Sequence, residues 1–398
     1  MENNSFPPVD RSVAFLASFV YFVQGALSIS AVAFPLLLRQ KGWSISEMAT
    51  FSFVIGLPWT LKLLYGALSD GVPIAGLHRK PYVILASLLS LGSWIGLAFF
   101  PHQKIFFYGL GLLGNFGFAL TDVVTDALIV ENSTEKTTQL YQSLAWGFRS
   151  LGAVVGGILG GWLAQNISYR LIFALTALLP FMTLMAGFFI HESPRSRGEE
   201  RPHILVPIVT SLRALFSDDL KWFSLFILSG SISASFNTPF FFFLKEKLAF
   251  SETFLGALSS LTWLGAIAGC FFYGRLSKAF TLKKALFWSV VLNTVNVLST
   301  FWIFNGWSAS VLFFLGGIGG YLSLLPLMAV AAVLSRQKGI EGSLFALLMS
   351  VQNLGQILSM YLGGKLFDIM GLPMLILFSA AIGLSGFFFV ARLKTLRS

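Results

Sequence analysis

Apolar runs long enough to cross a lipid bilayer follow one another along almost the whole chain, and they constrain the fold more than any other feature. A membrane-spanning helix needs about 20 predominantly apolar residues. Charged residues make up only 11% of the chain, whereas soluble proteins average about 25%. Because one soluble core cannot take up so many apolar runs, the sequence predicts an all-α polytopic membrane protein.

We predict twelve transmembrane helices, separated into two groups of six by a polar segment rich in Arg, Glu, Ser and Pro. The predicted regions are an N-terminal six-helix bundle at 1–190, a cytoplasmic linker at 191–219 and a C-terminal six-helix bundle at 220–398. Most basic residues lie in the linker, the C-terminal tail and the loops on the same side of the membrane. Under the positive-inside rule, this bias places both termini in the cytoplasm, and it explains the net charge of +10 without nucleic acid.

The two halves of the chain repeat each other in sequence. The stretch Arg149–Leu163 aligns with Gln352–Leu366, and Leu64–Asp70 aligns with Phe272–Lys278. Two pseudo-symmetric six-helix bundles, repeated in the same orientation, are the architecture of the major facilitator superfamily, whose substrates bind near the midplane between the repeats. We therefore expect that fold, with the substrate path between the two bundles.

The repeat also separates residues that the fold needs from residues that function needs. Glycines spaced by four, such as Gly152, Gly156 and Gly160, predict close helix packing, and the second half keeps glycines in the aligned stretch. Four charged residues of the first half align with uncharged ones: Asp122 with Leu325, Asp126 with Ala329, Glu131 with Leu334, and Arg149 with Gln352. Because these charges occur in the first half and are absent from the second, they indicate a functional role.

The fourth span carries two of these charges in its second half. Asp122 and Asp126 are four residues apart and Asn115 lies two turns earlier, so all three share one helical face. A charged residue near the bilayer centre costs about 2.5–3.5 kcal/mol on insertion scales, so this face is expected to avoid lipid. The aspartates are predicted to bind a hydrogen-bond-donating substrate group, to carry a coupling proton, or to do both. The alternative is a structural pair with Lys62 or Arg149.

Two cations, two aromatic residues and a mid-span amide complete the predicted substrate site: Lys62, Arg149, Trp59, Trp146 and Gln24. Lys62 lies three residues after Trp59, so a cation and an aromatic ring share a face that suits a planar anion. Arg149 lies three residues after Trp146, and a guanidinium fits a substrate carboxylate well. The alternatives are an intramembrane salt bridge for Lys62 and a gate with Glu131 for Arg149.

A conformational latch is predicted at the tight turn that follows the second span. Asp70 ends that span, Arg79 and Lys80 follow in the same turn, and Glu131 ends the fourth span. Opposite charges at the ends of neighbouring helices favour a latch between helices over a role in binding substrate.

Three motifs resemble those of the folate–biopterin transporter family, a branch of the major facilitator superfamily. They are W-x-x-K-x-x-Y-G-x-L-S-D at Trp59–Asp70, P-I-x-G before paired basic residues at Pro73–Lys80, and D-x-x-x-D-A-L-I-V-E at Asp122–Glu131. The resemblance implies a secondary active transporter that takes up folates or pterins by alternating access, with proton coupling. The alternative is a major facilitator carrier of another anionic solute, of the muropeptide- or acetyl-CoA-permease type.

The expected partners are a small anionic substrate, a proton and the lipid bilayer. We expect a monomer in a cell membrane, most simply a bacterial inner membrane. The sequence contains no phosphate-binding glycine loop, no metal-ligand spacing and no nucleophile constellation. We therefore expect no cofactor, no metal site and no enzymatic activity.

Overall fold

The computed structural model describes residues 11–100, 103–132, 135–190, 192, 205–277, 279–337 and 340–394. Within these ranges the regular elements are helices, joined by short turns. The predicted linker at 191–219 is described in part: Leu205–Ala214 forms a short helix, and residues 193–204 lie outside the described ranges.

Among the described residues, ten helices of membrane-spanning length come first: α1 (Val13–Gln40), α2 (Ile45–Gly71), α3 (Lys80–Phe99), α4 (Lys104–Glu131), α5 (Glu135–Asn166), α6 (Tyr169–Phe188), α7 (Asp218–Lys247), α8 (Glu252–Leu276), α9 (Leu282–Trp302) and α10 (Gly306–Leu334). The last segment, Glu341–Arg392, has 52 residues and breaks at Gly371, where φ is +69°. Glycine adopts this backbone without strain. The segment therefore forms two spans, α11 (341–370) and α12 (372–392), and the prediction of an all-α protein with twelve transmembrane helices is confirmed.

Side-chain caps mark where several of these helices begin. Ser44 and Glu47 form a capping box before α2, because each side chain accepts a hydrogen bond from the backbone N–H of the other residue. Thr281 caps α9 by accepting from the N–H of Lys284. The first N–H groups of a helix have no partner inside it, so such caps fix the turns between spans.

Packing divides the chain into two compact units. The first unit consists of Met1–Ala33 and Leu64–Ile204, and the second of Phe34–Leu63 and Leu205–Ser398. Within the second unit, Gly364 of α11 lies against Ala49 of α2. The division by sequence repeat and the division by packing therefore differ at residues 34–63.

Glycines bring paired helices into backbone contact in both units. In the first unit, Gly152 and Gly160 of α5 lie against the backbone of α1 at Phe22 and Ile29. In the second unit, Gly363 of α11, which aligns with Gly160 in the repeat, lies against the backbone of α7. Helices in a membrane associate through such close packing, because lipid tails are as apolar as the side chains they would replace. The predicted packing role of the glycines is confirmed.

Candidate functional site

A polar cluster joins α1 and α4 in the middle of the first unit. Gln24 Nε2 donates to Asp122 Oδ1 at 3.0 Å, and the Tyr21 hydroxyl donates to Asp126 Oδ1 at 2.5 Å. Tyr21 and Gln24 are three residues apart on α1, and the aspartates are four apart on α4, so each pair forms one helical face. Residue numbers rise along α1 as they fall along α4, which shows that the two helices run antiparallel. Asp122 is buried, with 2% of its surface exposed.

Helix α5 is the third helix, after α1 and α4, that contributes side chains to this cluster. The rings of Tyr21 and Trp146 lie 6.3 Å apart, and the Arg149 guanidinium lies 5.0 Å from the centre of the Trp146 ring. Arg149 also lies within electrostatic range of the Tyr21 hydroxyl, as do both aspartates. The structure thus gathers two carboxylates, a guanidinium and two aromatic rings within the first unit, an arrangement able to bind a flat molecule with polar edges.

The structure brings five predicted residues of the first unit close together: Gln24, Asp122, Asp126, Trp146 and Arg149. Asn115, two turns from Asp122, donates from its amide to the carbonyl of Gly111 on its own helix. Sequence reasoning missed Tyr21. The spacing of Tyr21 from Gln24 could have indicated it, because a donor three residues from a mid-span amide lies on the same helical face.

The predicted pairing of a cation and an aromatic ring on α2 is confirmed. Lys62 Nζ lies 5.3 Å from the centre of the Trp59 ring, and the Trp59 carbonyl accepts a hydrogen bond from the Asn353 side chain of α11 at 2.9 Å. Trp59 and Lys62 belong to the second unit, whereas Asp122 and Arg149 belong to the first. A joint site of Lys62 with Asp122 and Arg149 stays a prediction.

The latch residues meet around Arg79, which is 3% exposed. Its Nη1 donates to Ser69 Oγ at 2.6 Å and its Nη2 to Asp70 Oδ1 at 2.5 Å. Its Nε donates to Glu131 Oε1 at 3.1 Å. Burial alone would lower the pKa of the guanidinium, but the hydrogen bonds and charges of Glu131 and Asp70 outweigh burial and raise that pKa above its ordinary value. Arg79 therefore stays charged and ties the adjoining ends of α2 and α4 to the start of α3.

Lys80 takes part in a different contact from the one predicted for it. Its Nζ donates to the carbonyl of Phe188 at the end of α6, at 2.8 Å. The carboxylate of Glu192, just after α6, accepts from the backbone N–H groups of His78, Arg79 and Lys80 at 2.6 to 3.0 Å. A carboxylate is stabilised at a helix N-terminus because the first N–H groups are unpaired there.

Sequence reasoning missed Glu192 because it counted that residue as part of the linker. The signal that could have found it is a carboxylate placed directly after a span, close to a loop rich in cations. Within the described part of the chain, no three His, Cys, Asp or Glu side chains come together as metal ligands would.

Comparison with known proteins identifies the family of the chain. The model of the BT1 family matches residues 24–376. A folate-biopterin transporter of Synechocystis sp. is 30% identical over 361 residues, which cover 87% of this chain and 73% of that protein. A probable folate-biopterin transporter of Arabidopsis thaliana is 27% identical and covers 90% and 89% of the two chains. Folate transporter 1 of Plasmodium falciparum is 26% identical and covers 88% and 72%.

Solved structures identify the fold. A D-xylose-proton symporter superposes with a TM-score of 0.74 at 14% identity, over 97% of this chain and 98% of that one. A nucleoside transporter superposes with a TM-score of 0.78 at 12% identity, over 96% and 100%. These identities speak for the fold alone, which is that of the major facilitator superfamily. The predicted family resemblance is confirmed, and the match covers residues 24–376. The chain therefore belongs to the BT1 family and is a multi-pass membrane transporter.

Proposed function

We propose that the protein carries a folate or a pterin across the membrane by alternating access, coupled to protons. The main support is the polar cluster of Gln24, Asp122, Asp126, Trp146 and Arg149. Placing two carboxylates inside membrane spans costs free energy, so carboxylates that occur there usually have a function. The family relatives named as folate or folate-biopterin transporters supply the substrate class.

The chemistry of such a substrate matches the side chains. A pterin ring has an amino-pyrimidine edge, whose two parallel donors a carboxylate can accept together. We assign this contact to Asp122, with the ring stacked on Trp59 or Trp146. The acidic tail of a folate would bind the cations Lys62 and Arg149, of which the guanidinium offers the better fork for a carboxylate.

We assign the coupled proton to Asp126. Protonation would neutralise its charge and so lower the cost of the occluded state of the cycle, in which the site is closed off from water. The Tyr21 hydroxyl, which donates to Asp126, can stabilise the ionised form and can turn away when the carboxyl takes up a proton. Asp122 contributes a second acidic group to the same process.

The Arg79 cluster serves this cycle as a conformational latch. Asp70 and Glu131 lie at the ends of two different helices, so a change in the angle between α2 and α4 must break at least one of their bonds to Arg79. Lys80 and Glu192 hold the start of α3 to the end of α6. We propose that this set opens and closes on the cytoplasmic side.

Orientation and location are part of the proposal. We place the protein as a monomer in a cell membrane, most simply a bacterial inner membrane, with both termini and the linker in the cytoplasm. Reporter fusions at either terminus or in the linker should read inside, and fusions at Lys41, Gln103 and Lys247 should read outside. One inverted loop among these would overturn the orientation.

Uptake measurements test the substrate class. Purified protein in proteoliposomes is given labelled folate, 5-formyltetrahydrofolate, biopterin or anhydro-muropeptide, with and without an inward proton gradient. We expect saturable uptake of a folate or pterin that the gradient drives above equilibrium. Protein-free liposomes are the control for leakage. Uptake of the muropeptide alone would replace the proposal with a different anionic solute.

A further inference from the structure

A small cavity in the first unit lies next to Gln24, the residue that donates to Asp122. Helices α1, α3, α4 and α6 line it, and each contributes polar side chains: Gln24, Ser87, Ser90, Thr121 and Thr183. Its volume is about 10 Å³. A cavity needs about 10–15 Å³ by this measure, together with polar partners, to hold one water molecule.

Two of the polar atoms in its wall differ from the others. Within the described part of the chain, Gln24 Oε1 and Ser87 Oγ are buried and have no hydrogen-bond partner. Ser87 is 1% exposed. The neighbouring hydroxyls are already bonded to helix carbonyls, Ser90 to Gly114 at 3.2 Å and Thr121 to Gly117 at 2.9 Å. Buried polar groups in folded proteins are nearly always paired with protein or with ordered water.

The hydrogen bond between Gln24 and Asp122 determines which hydrogen-bond partner Gln24 needs on the cavity side. An ionised carboxylate only accepts hydrogen bonds, so Gln24 turns its Nε2 towards Asp122. Its Oε1 then points away and needs a donor, which a water molecule or the Ser87 hydroxyl can provide. Pro180 in the α6 wall has no N–H for the carbonyl of Thr176, which leaves a further acceptor one turn from the cavity.

We propose that this cavity is a binding site for one water molecule, which donates to Gln24 Oε1 and bonds to Ser87 Oγ. The water holds the Gln24 amide in the orientation that donates to Asp122. If Asp122 takes up a proton, the amide turns over. Oε1 then accepts from the carboxyl, and Nε2 donates to the water or to Ser87, both of which can also accept. Ser87 is thus a positioning residue, and the cavity satisfies Gln24 in both protonation states of Asp122.

Tyr21 on α1, three residues from Gln24, lies within electrostatic range of Asp122 and Asp126 on α4 and of Arg149 on α5. From α3 and α6 the cavity receives the hydroxyls of Ser87, Ser90 and Thr183. The water site itself stands on the geometry, and its effect on binding rests on the proposed function of Asp122.

The test combines a high-resolution structure with equilibrium binding of folate and of biopterin in lipid nanodiscs between pH 5 and 8. We expect a density peak within hydrogen-bonding distance of Gln24 Oε1 and Ser87 Oγ. Ser87→Val, which fills the cavity, should remove the peak, weaken binding about tenfold and shift its pH profile, as loss of one charge-assisted hydrogen bond would. Ser87→Thr, which restores a hydroxyl, should bind more tightly than Ser87→Val.

The matched control is Ser90→Ala against Ser87→Ala. Both variants delete a hydroxyl from the same helix and the same cavity, but the Ser90 hydroxyl is bonded elsewhere. Only Ser87→Ala should shift the pH profile. No peak in the wild-type map, or equal shifts in the two alanine variants, would overturn the proposal. If the wild type binds neither folate nor pterin, the proposed function fails, and the map still decides the water site.

Discussion

The two units use the same helix packing but place different chemistry on it. In each unit a glycine-bearing helix lies against the first helix of its own repeat, through Gly160 in one and Gly363 in the other. At the position of Glu131 the second repeat has Leu334, which is buried in an apolar cluster with Ile227 and Val330. The second repeat therefore packs with an apolar residue where the first repeat carries Glu131. We propose that the charges of the first unit serve function rather than helix packing.

In the first unit, the two aspartates are stabilised by hydrogen-bond donors and by a nearby positive charge. Gln24 and Tyr21 each supply a neutral donor to one aspartate, and Arg149 supplies a positive charge nearby. The donors leave the cluster with net acidic character beside an aromatic surface. This is the kind of site in which a proton or a substrate donor can be exchanged against a hydrogen bond to the protein.

The sharpest way to break the comparison is to replace Arg149 and its aligned residue Gln352 by alanine, one at a time. Arg149→Ala should lower uptake by about 10–100-fold, the range expected for losing a charge-assisted hydrogen bond, while the protein still reaches the membrane. Gln352→Ala, its partner in the repeat, should have a mild effect. Uptake and surface expression are measured together for both variants. Equal losses in the two would show that the charge difference between the halves has no functional meaning.

A similar loss is expected at Lys62. Lys62→Ala should abolish or severely reduce uptake. Lys62→Arg should fail as well if the ammonium and the Trp59 ring form one shaped site, because the two cations differ in geometry and hydration. Trp59→Phe keeps a ring under the cation and serves as the milder comparison. Wild-type uptake by Lys62→Ala would remove this residue from the mechanism.

The glycines should behave alike in the two halves. A Cβ at Gly160 or at Gly363 would overlap the backbone of the facing helix, so Ala at either position should destabilise the protein by about 1–3 kcal/mol. Gly147→Ala is the matched control on α5, because nothing lies within 4 Å of the added carbon. Thermal unfolding in detergent measures all three. A loss confined to one half would contradict a shared framework.

The smallest effect is expected at the latch. Arg79→Gln leaves Asp70 and Glu131 without their cation, and we expect about 1 kcal/mol of destabilisation because both carboxylates are partly solvated. The pKa of Arg79 is raised, so its contribution is present below its ordinary pKa and is lost only at still higher pH. Unfolding of the wild type and the variant at pH 6 and pH 9 should therefore differ by the same amount.

Much of the fold could be predicted from the sequence, because bilayer-length apolar runs allow little but helices. The aspartates and Arg149 could be identified because charge is rare in such runs. The partners of the aspartates could not, since the register of α1 against α4 depends on three-dimensional packing. Residues 34–63 pack with the second unit although the repeat counts them with the first, and a one-dimensional alignment carries no information about that packing.

The central claim is that the charges unique to the first half bind substrate and carry the proton. Asp122→Asn and Asp126→Asn test it directly, each measured for equilibrium binding and for pH-driven uptake in proteoliposomes. We predict that Asp126→Asn keeps binding and exchange but loses uphill accumulation, and that Asp122→Asn loses binding because a buried donor of the substrate is left without its acceptor. Loss of binding in both would merge the two roles into one site. Intact pH-driven accumulation in both variants would contradict the account.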